Sequence, residues 1–357
     1  MTDRATDPTD LAAWLRDLPK VELHVHLEGS LTPAVVARLA ERHGADHSRI
    51  WPAGIPEAFS FVDFPDFGRQ FLFGLTLIRN GEDLADVVEA LARELAAQSV
   101  RYAEVTSTAF SHLWRGMPEA DYGAALDEGR RRAAALGVQL AWVIDIPRDL
   151  ETPESTVTLD YLSGPDAPVD VVALGLGGYE IGHPARPYRE LFARARALGL
   201  GSVPHAGETD GPASVRAALD DLGADRIGHG VRSIEDDDLL VALAERGTCL
   251  EVCLTSNRLL GVVDDLARHP LPGLRAAGVT VTLNTDDPGY FATDLTTELL
   301  AASEHFGLTP EEHIALQHSA LVASFLPPER KAVHAAELDA YPLTGSGGAA
   351  ASRSSQR

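Results

Sequence analysis

Short runs of β-branched and apolar residues alternate along this chain with longer stretches whose apolar positions recur every three or four residues. Eight runs read as strands: KVELHVH (20–26), RYAEVTST (101–108), QLAWVIDI (139–146), VDVVALGLGG (169–178), GSVPHAGE (201–208), DRIGHG (225–230), CLEVCLTSN (249–257) and VTVTLNTDDP (279–288). Between them, EDLADVVEALARELAAQ (82–98), YRELFARARALG (188–199), PASVRAALDDLG (212–223) and IEDDDLLVALAERG (234–247) set apolar residues at i, i+3 and i+4, as one buried helix face requires. Glycine follows several of these segments, where a C-terminal cap belongs. Alternating strands and amphipathic helices pair in parallel through helical crossovers. Eight such units predict a closed (β/α)8 barrel of the TIM type. An open doubly wound sheet would carry a glycine-rich phosphate loop after its first strand, and LEGSLTP is not one.

Two segments fall outside the alternation. Residues from about 30 to 80 are too many for one loop and contain FSFVDFPDFGRQFLFG. They read as a helical insertion after strand 1, either a lid over the barrel mouth or an aromatic layer packed on the barrel wall. The end, LTGSGGAAASRSSQR, is low in complexity, so residues 341–357 are expected to form a disordered tail on a single domain spanning 1–340. Neither an internal repeat nor a linker divides that domain.

Charge narrows the function. With 30 basic against 53 acidic residues the formal net charge is −23. That balance argues against nucleic acid, whose affinity comes mainly from neutralised phosphates, and against an anionic membrane surface. The polar start MTDRATDPTD does not read as a signal peptide, and no apolar run approaches the ~18 residues of a membrane helix. A cytoplasmic protein is the expectation, with a homo-oligomer left open. Two cysteines exclude a disulfide framework; Cys249 and Cys253 read as small core residues.

The polar residues at the strand ends carry the chemistry. In a strand, residues i and i+2 share a face, so His24 and His26 of VELHVHLEGS project side by side. Strand 5 ends in HAGE with His205 and Glu208, strand 6 in GHG with His229, and strand 8 in NTDDPG with Asp286 and Asp287. Barrels of this type place their sites at these C-terminal ends. Three imidazoles and one carboxylate, from His24, His26, His205 and Asp286, suit one Zn²⁺ or another divalent metal such as Fe²⁺. Such an ion lowers the pKa of a bound water towards ~7. Glu208 is then placed to act as general acid/base, His229 to orient the hydroxide, and Asp287 to face the substrate. A carbamylated-lysine bridge to a second metal is unavailable, because the chain holds only Lys20 and Lys331 and neither falls in strands 2–8. Glu104 in strand 2 reads as a buried structural acid, with a carboxylate bridge as the alternative.

LPKVELHVHLEGSL, HAGE, RIGHGVR, EVCLTSN and TLNTDDP occur together over residues 19–325, and in this order the chain resembles the adenosine/AMP deaminase family of amidohydrolase-type barrels. The resemblance implies hydrolytic deamination of a small-molecule 6-aminopurine and the same four metal ligands. It further implies that Glu208 protonates purine N1 while metal hydroxide attacks C6, that His229 positions the hydroxide, that Asp287 bonds N7, and that the Gly178 backbone N–H reaches N3. Two departures bear on the substrate. Where animal-type adenosine deaminases carry an aspartate that binds the ribose 5′-OH, this chain has Glu28, and an extra methylene spoils or retargets that hydrogen bond. Where the family usually has LAGDE, this chain has LGGYE, with Tyr179 and Glu180, followed by IGHP. Adenine deaminases of the family share GHP there. AEVTSTAFSHL together with Glu28 resembles bacterial aminodeoxyfutalosine deaminases, whose substrate has a bulky 5′ group. The expected substrates are a 5′-modified adenosine such as 6-amino-6-deoxyfutalosine or adenosine itself, nearly level, then adenine. A different metal hydrolase on the same barrel, an amidase or lactonase, and a non-catalytic binding protein are the competing classes; the second predicts a lost ligand or acid, and none is missing.

Overall fold

The computed structural model describes residues 8–62, 64–148 and 154–343. Its strands are β1 (Lys20–His26), β2 (Val100–Ser107), β3 (Gln139–Pro147), β4 (Val171–Gly177), β5 (Gly201–Ala206), β6 (Arg226–His229), β7 (Cys249–Val252) and β8 (Val281–Leu283). Each pairs in parallel with the next, in the order β1 to β8. The ring closes beyond β8, where His26 N–H donates to the Asp286 carbonyl at 2.8 Å and Asp286 N–H to the His24 carbonyl at 3.0 Å. This is the (β/α)8 barrel that the alternation predicts. The four helices expected from periodicity form at Gly81–Ala97, Arg189–Ala197, Pro212–Asp221 and Asp237–Arg246.

Two strand expectations run too long. CLEVCLTSN pairs only over 249–252, and its second half becomes the helix Leu254–Leu259. That helix starts there because the buried Glu298 carboxylate accepts the first amides, from Leu254 at 3.0 Å and Thr255 at 3.2 Å. VTVTLNTDDP pairs over 281–283 only. Asn284 still gives its amide to the Val252 carbonyl of β7 at 2.9 Å, while its side chain accepts the Leu23 amide of β1 at 2.9 Å.

The connection after β1 holds the helices Pro33–His43 and Phe64–Leu75. Thr32 caps the first and Pro33 occupies its opening position, both favoured there. The aromatic residues of this connection divide between two environments. Trp51 stacks on Phe59, and Phe59 on Tyr290 beyond β8, with ring centroids 5.3 and 4.8 Å apart. Phe67, Phe71, Leu72 and Leu75 instead line a cavity at the barrel mouth.

Below that mouth the barrel is filled first by polar groups and then by apolar ones. Arg226 reaches both Glu251 and Glu104, and its guanidinium lies 4.4 Å over the Phe325 ring. Glu104 also accepts from Tyr102 and the Phe325 amide, so it is a buried structural acid and not a metal bridge. Cys249 and Cys253 are buried and free. Lys20 turns away from the mouth, its amine bonded to the carbonyls of Leu15, Arg16 and Leu18. The expected tail, 341–357, lies outside the described residues from 344 onward. Among the described residues no helix is long and apolar enough to cross a membrane.

Candidate active site

A cavity of about 260 Å³ opens at the C-terminal ends of the strands. On its floor His24, His26, His205 and Asp286 bring one ligand atom each within 4.8 Å of one another. These residues come from β1, β5 and the turn after β8, so barrel closure alone assembles them. Asp286 and His229 hold φ of 64° and 60°, a left-handed conformation that costs a non-glycine residue about 1–2 kcal/mol. The hydrogen bonds that clip Asp286 to β1 impose it there.

Three of the four side chains on the floor, His24, His205 and Asp286, are turned by a partner on the far side. Glu251 on β7 accepts from His24 Nδ1 at 2.8 Å, which aims Nε2 into the cluster. The Leu176 carbonyl takes His205 Nδ1–H at 3.1 Å and does the same. Ser256 donates to Asp286 Oδ2 at 2.6 Å, leaving Oδ1 for the cluster. That oxygen then stands 3.4 Å from His24 Nε2 and 3.3 Å from His26 Nε2, while the Nε2 atoms of His26 and His205 are 3.2 Å apart. Buried lone pairs converge here with no proton between all of them, and His24 Nε2 finds no hydrogen-bond partner among the described residues. The cluster calls for positive charge. Burial would lower the pKa of His24 and His26, yet the neighbouring carboxylates, Asp286 with Glu251 for His24 and Asp286 with Asp287 for His26, outweigh it and carry them up to about 10 and about 9. His205, buried beside the other imidazoles, is pushed well below its usual range. Three of the donor pairs thus stand 3.2–3.4 Å apart, close enough for His24, His26, His205 and Asp286 to share one divalent ion.

The acids above the floor are of a different kind. Burial, then the Asp286 charge, raises Glu208 well above the carboxylate range. The same two causes push Asp287 up to about 8. Both shifts favour the protonated, hydrogen-bond-donating form. Gly29 packs so tightly on Asp287 that a Cβ there would stand 1.8 Å from Oδ1. Glu180 of LGGYE cradles the turn that bears Glu208, accepting the amides of Gly207, Glu208 and Thr209 at 2.8, 2.8 and 2.9 Å. Gly178, at φ 95°, lies beside β4 in the cavity wall.

Glu28 does not line the cavity. It is buried against Ser107 and His112, which meet Oε1 at 2.7 and 2.8 Å, while Oε2 has no partner among the described residues. Reading the sequence also passed over Asp145, an acid in the apolar run QLAWVIDI. It lines the cavity with Oδ1 unpartnered, and burial raises its pKa. Its signal was the charge itself, placed at the end of an otherwise apolar strand.

Residues 19–341 match the adenosine deaminase family. The chain belongs to that family. It is 44% identical, over 93% of both chains, to an aminodeoxyfutalosine deaminase of Streptomyces avermitilis. Among solved structures it is similar to an adenine deaminase from Arthrobacter aurescens, at 30% identity over 90% of this chain and 98% of that one, with a TM-score of 0.85. An amidohydrolase from Burkhoderia ambifaria with bound Zn superposes with a TM-score of 0.82 at 25% identity, over 95% of this chain and 96% of that one. As a member of the adenosine deaminase family this chain is a hydrolase that acts on C–N bonds of purine substrates.

Proposed function

We propose that this deaminase removes the C6 amine of an adenosine carrying a bulky 5′ group, of the aminodeoxyfutalosine kind, and uses one Zn²⁺ to do so. The observation that carries the reading is the placement of Glu208 and Asp287 in the wall of one cavity whose floor is the His–Asp cluster. An ion held by His24, His26, His205 and Asp286 would supply water acidic enough to attack at neutral pH. Glu208 keeps its proton and delivers it to ring N1, which draws electron density from C6. Asp287, in its protonated form, donates to N7, and the Gly178 N–H donates to N3. Together they lay the purine flat with C6 over the cluster. His229 Nε2, 3.7 Å from Glu208 and 3.9 Å from Asp286, orients the attacking oxygen between them.

The rim supports the 5′ group. Leu72, which lines the cavity, is 60% exposed, and Trp114, Tyr179 and Ile181 are large apolar residues left 42–68% exposed on the connections that follow β2 and β4. Glu28, already engaged by Ser107 and His112, is poorly free to take a 5′-OH. The adenine deaminase of similar fold favours free adenine as the second reading. Steady-state kcat/KM for 6-amino-6-deoxyfutalosine, adenosine, AMP and adenine, measured side by side, tests the ranking. A kcat/KM for adenine above that of both nucleosides rejects the 5′ reading, and no ammonia from any of the four rejects deamination of these substrates.

A further inference from the structure

A chain of hydrogen bonds runs from the ring of His229 to the start of the helix Leu271–Ala276, and its direction is set at the far end. The Leu271 backbone N–H donates to His269 Nδ1 at 3.0 Å. An amide N–H can only donate, so His269 Nδ1 holds a lone pair and the ring proton sits on Nε2. That nitrogen lies 3.1 Å from Asn257 Oδ1 and donates to it. The other end of the amide, Nδ2, is therefore the donor that meets His229 Nδ1 at 3.1 Å. His229 Nδ1 accepts, which leaves its proton on Nε2, facing Glu208 and Asp286. Turning Asn257 over would set its NH₂ against His269 Nε2–H, two donors with no acceptor between them. His229, Asn257 and His269 are 1%, 0% and 3% exposed, so solvent does not scramble the order. Burial also holds His269 low, at about 4, and thus neutral.

We propose that Leu271 N–H, His269 and Asn257 form a relay that locks His229 as the Nε2–H tautomer, so that His229 gives a hydrogen bond to the attacking oxygen and cannot take its proton. Asn257 and His269 are positioning residues that act through His229. The inference borrows from the deaminase reading only the identity of that oxygen; the tautomer itself is independent of any substrate.

Imidazole nitrogen shifts report tautomers directly. The zinc-loaded full chain, labelled with ¹⁵N-histidine and with the His229 signals identified by their loss in His229→Gln, is expected to show a protonated Nε2 and a bare Nδ1. Asn257→Asp places an acceptor opposite Nδ1 and should invert the tautomer. His269→Gln, which can still accept from Leu271 and donate to Asn257, should preserve it, and His269→Leu should give a mixture. A protonated Nδ1 in the unaltered protein overturns the proposal, as does an unchanged Nε2–H form in either Asn257→Asp or His269→Leu. If the tautomer holds but no aminopurine is deaminated, the relay stands and the reading of function falls.

Discussion

The floor of the cavity and its rim are held by different forces. On the floor, His24, His205, His229 and Asp286 each make a hydrogen bond on the side away from the cavity: His24 and His205 donate to Glu251 and the Leu176 carbonyl, and His229 and Asp286 accept from Asn257 and Ser256. Hydrogen bonds are directional, so each of these four groups has one permitted orientation. On the rim, Phe67, Phe71, Leu72 and Leu75 come from a single helix, and what positions that helix is largely apolar packing against Tyr290 and Phe291. Dispersion and burial ask for volume, not angle. The floor is therefore built for one chemistry, while the rim can change shape without disturbing it.

The comparison breaks first at Glu208. Glu208→Gln should lower kcat by about 10²–10⁴-fold while zinc content stays at the unaltered level; wild-type-like turnover would move the acid elsewhere. Next comes the ion. His24→Ala should reduce the metal-to-protein ratio measured by atomic emission, and an unchanged ratio removes His24 from the ligand set. Glu251→Gln, which loosens a ligand without removing one, should weaken zinc affinity by about 10–100-fold in a chelator competition. Affinity equal to the unaltered protein would mean that the far-side bonds do not tune the floor.

The rim should respond in KM. Phe71→Ala is expected to raise KM for a 5′-substituted adenosine by about tenfold with kcat within roughly twofold, the mark of binding shared by ground and transition states. A fall in kcat with constant KM would instead join the rim to the chemistry. The smallest effect lies away from both regions. His313 is buried against Ser303, at 2.6 Å, and burial depresses its pKa to about 4. The unfolded chain, with an ordinary value near 6.5, binds the proton more readily, so stability is full above pH ~6.5 and falls as pH drops towards ~4, by up to about 3 kcal/mol. Melting curves between pH 7 and 4 should be shallower in their pH dependence for His313→Gln; equal slopes would exclude His313 as a source of acid sensitivity.

Sequence alone determined the number of β/α units, the barrel they close into and the identity of the His–Asp cluster. Periodicity reports which face of a strand or helix is buried, and a charged group at the end of an apolar strand is conspicuous without any structure. His24 and His26 share a face by spacing, and His205 and Asp286 end strands that must point the same way. Only the tertiary structure decided the far-side partners. Glu251 lies 227 residues from His24 and meets it because β7 and β1 both face the barrel axis in one register. Asn257 looked like the end of a strand until Glu298 captured the amides before it and turned the segment into a helix. Glu180, the glutamate that LGGYE shares with LAGDE, cradles the Glu208 turn. Glu28, whose extra methylene reads as spoiling or retargeting a 5′ contact, is held by His112 on the helix after β2. In each case local pattern shows that a polar group is buried, while the choice of partner depends on strand register and on which loops fold inward, and neither is written in the spacing of one segment.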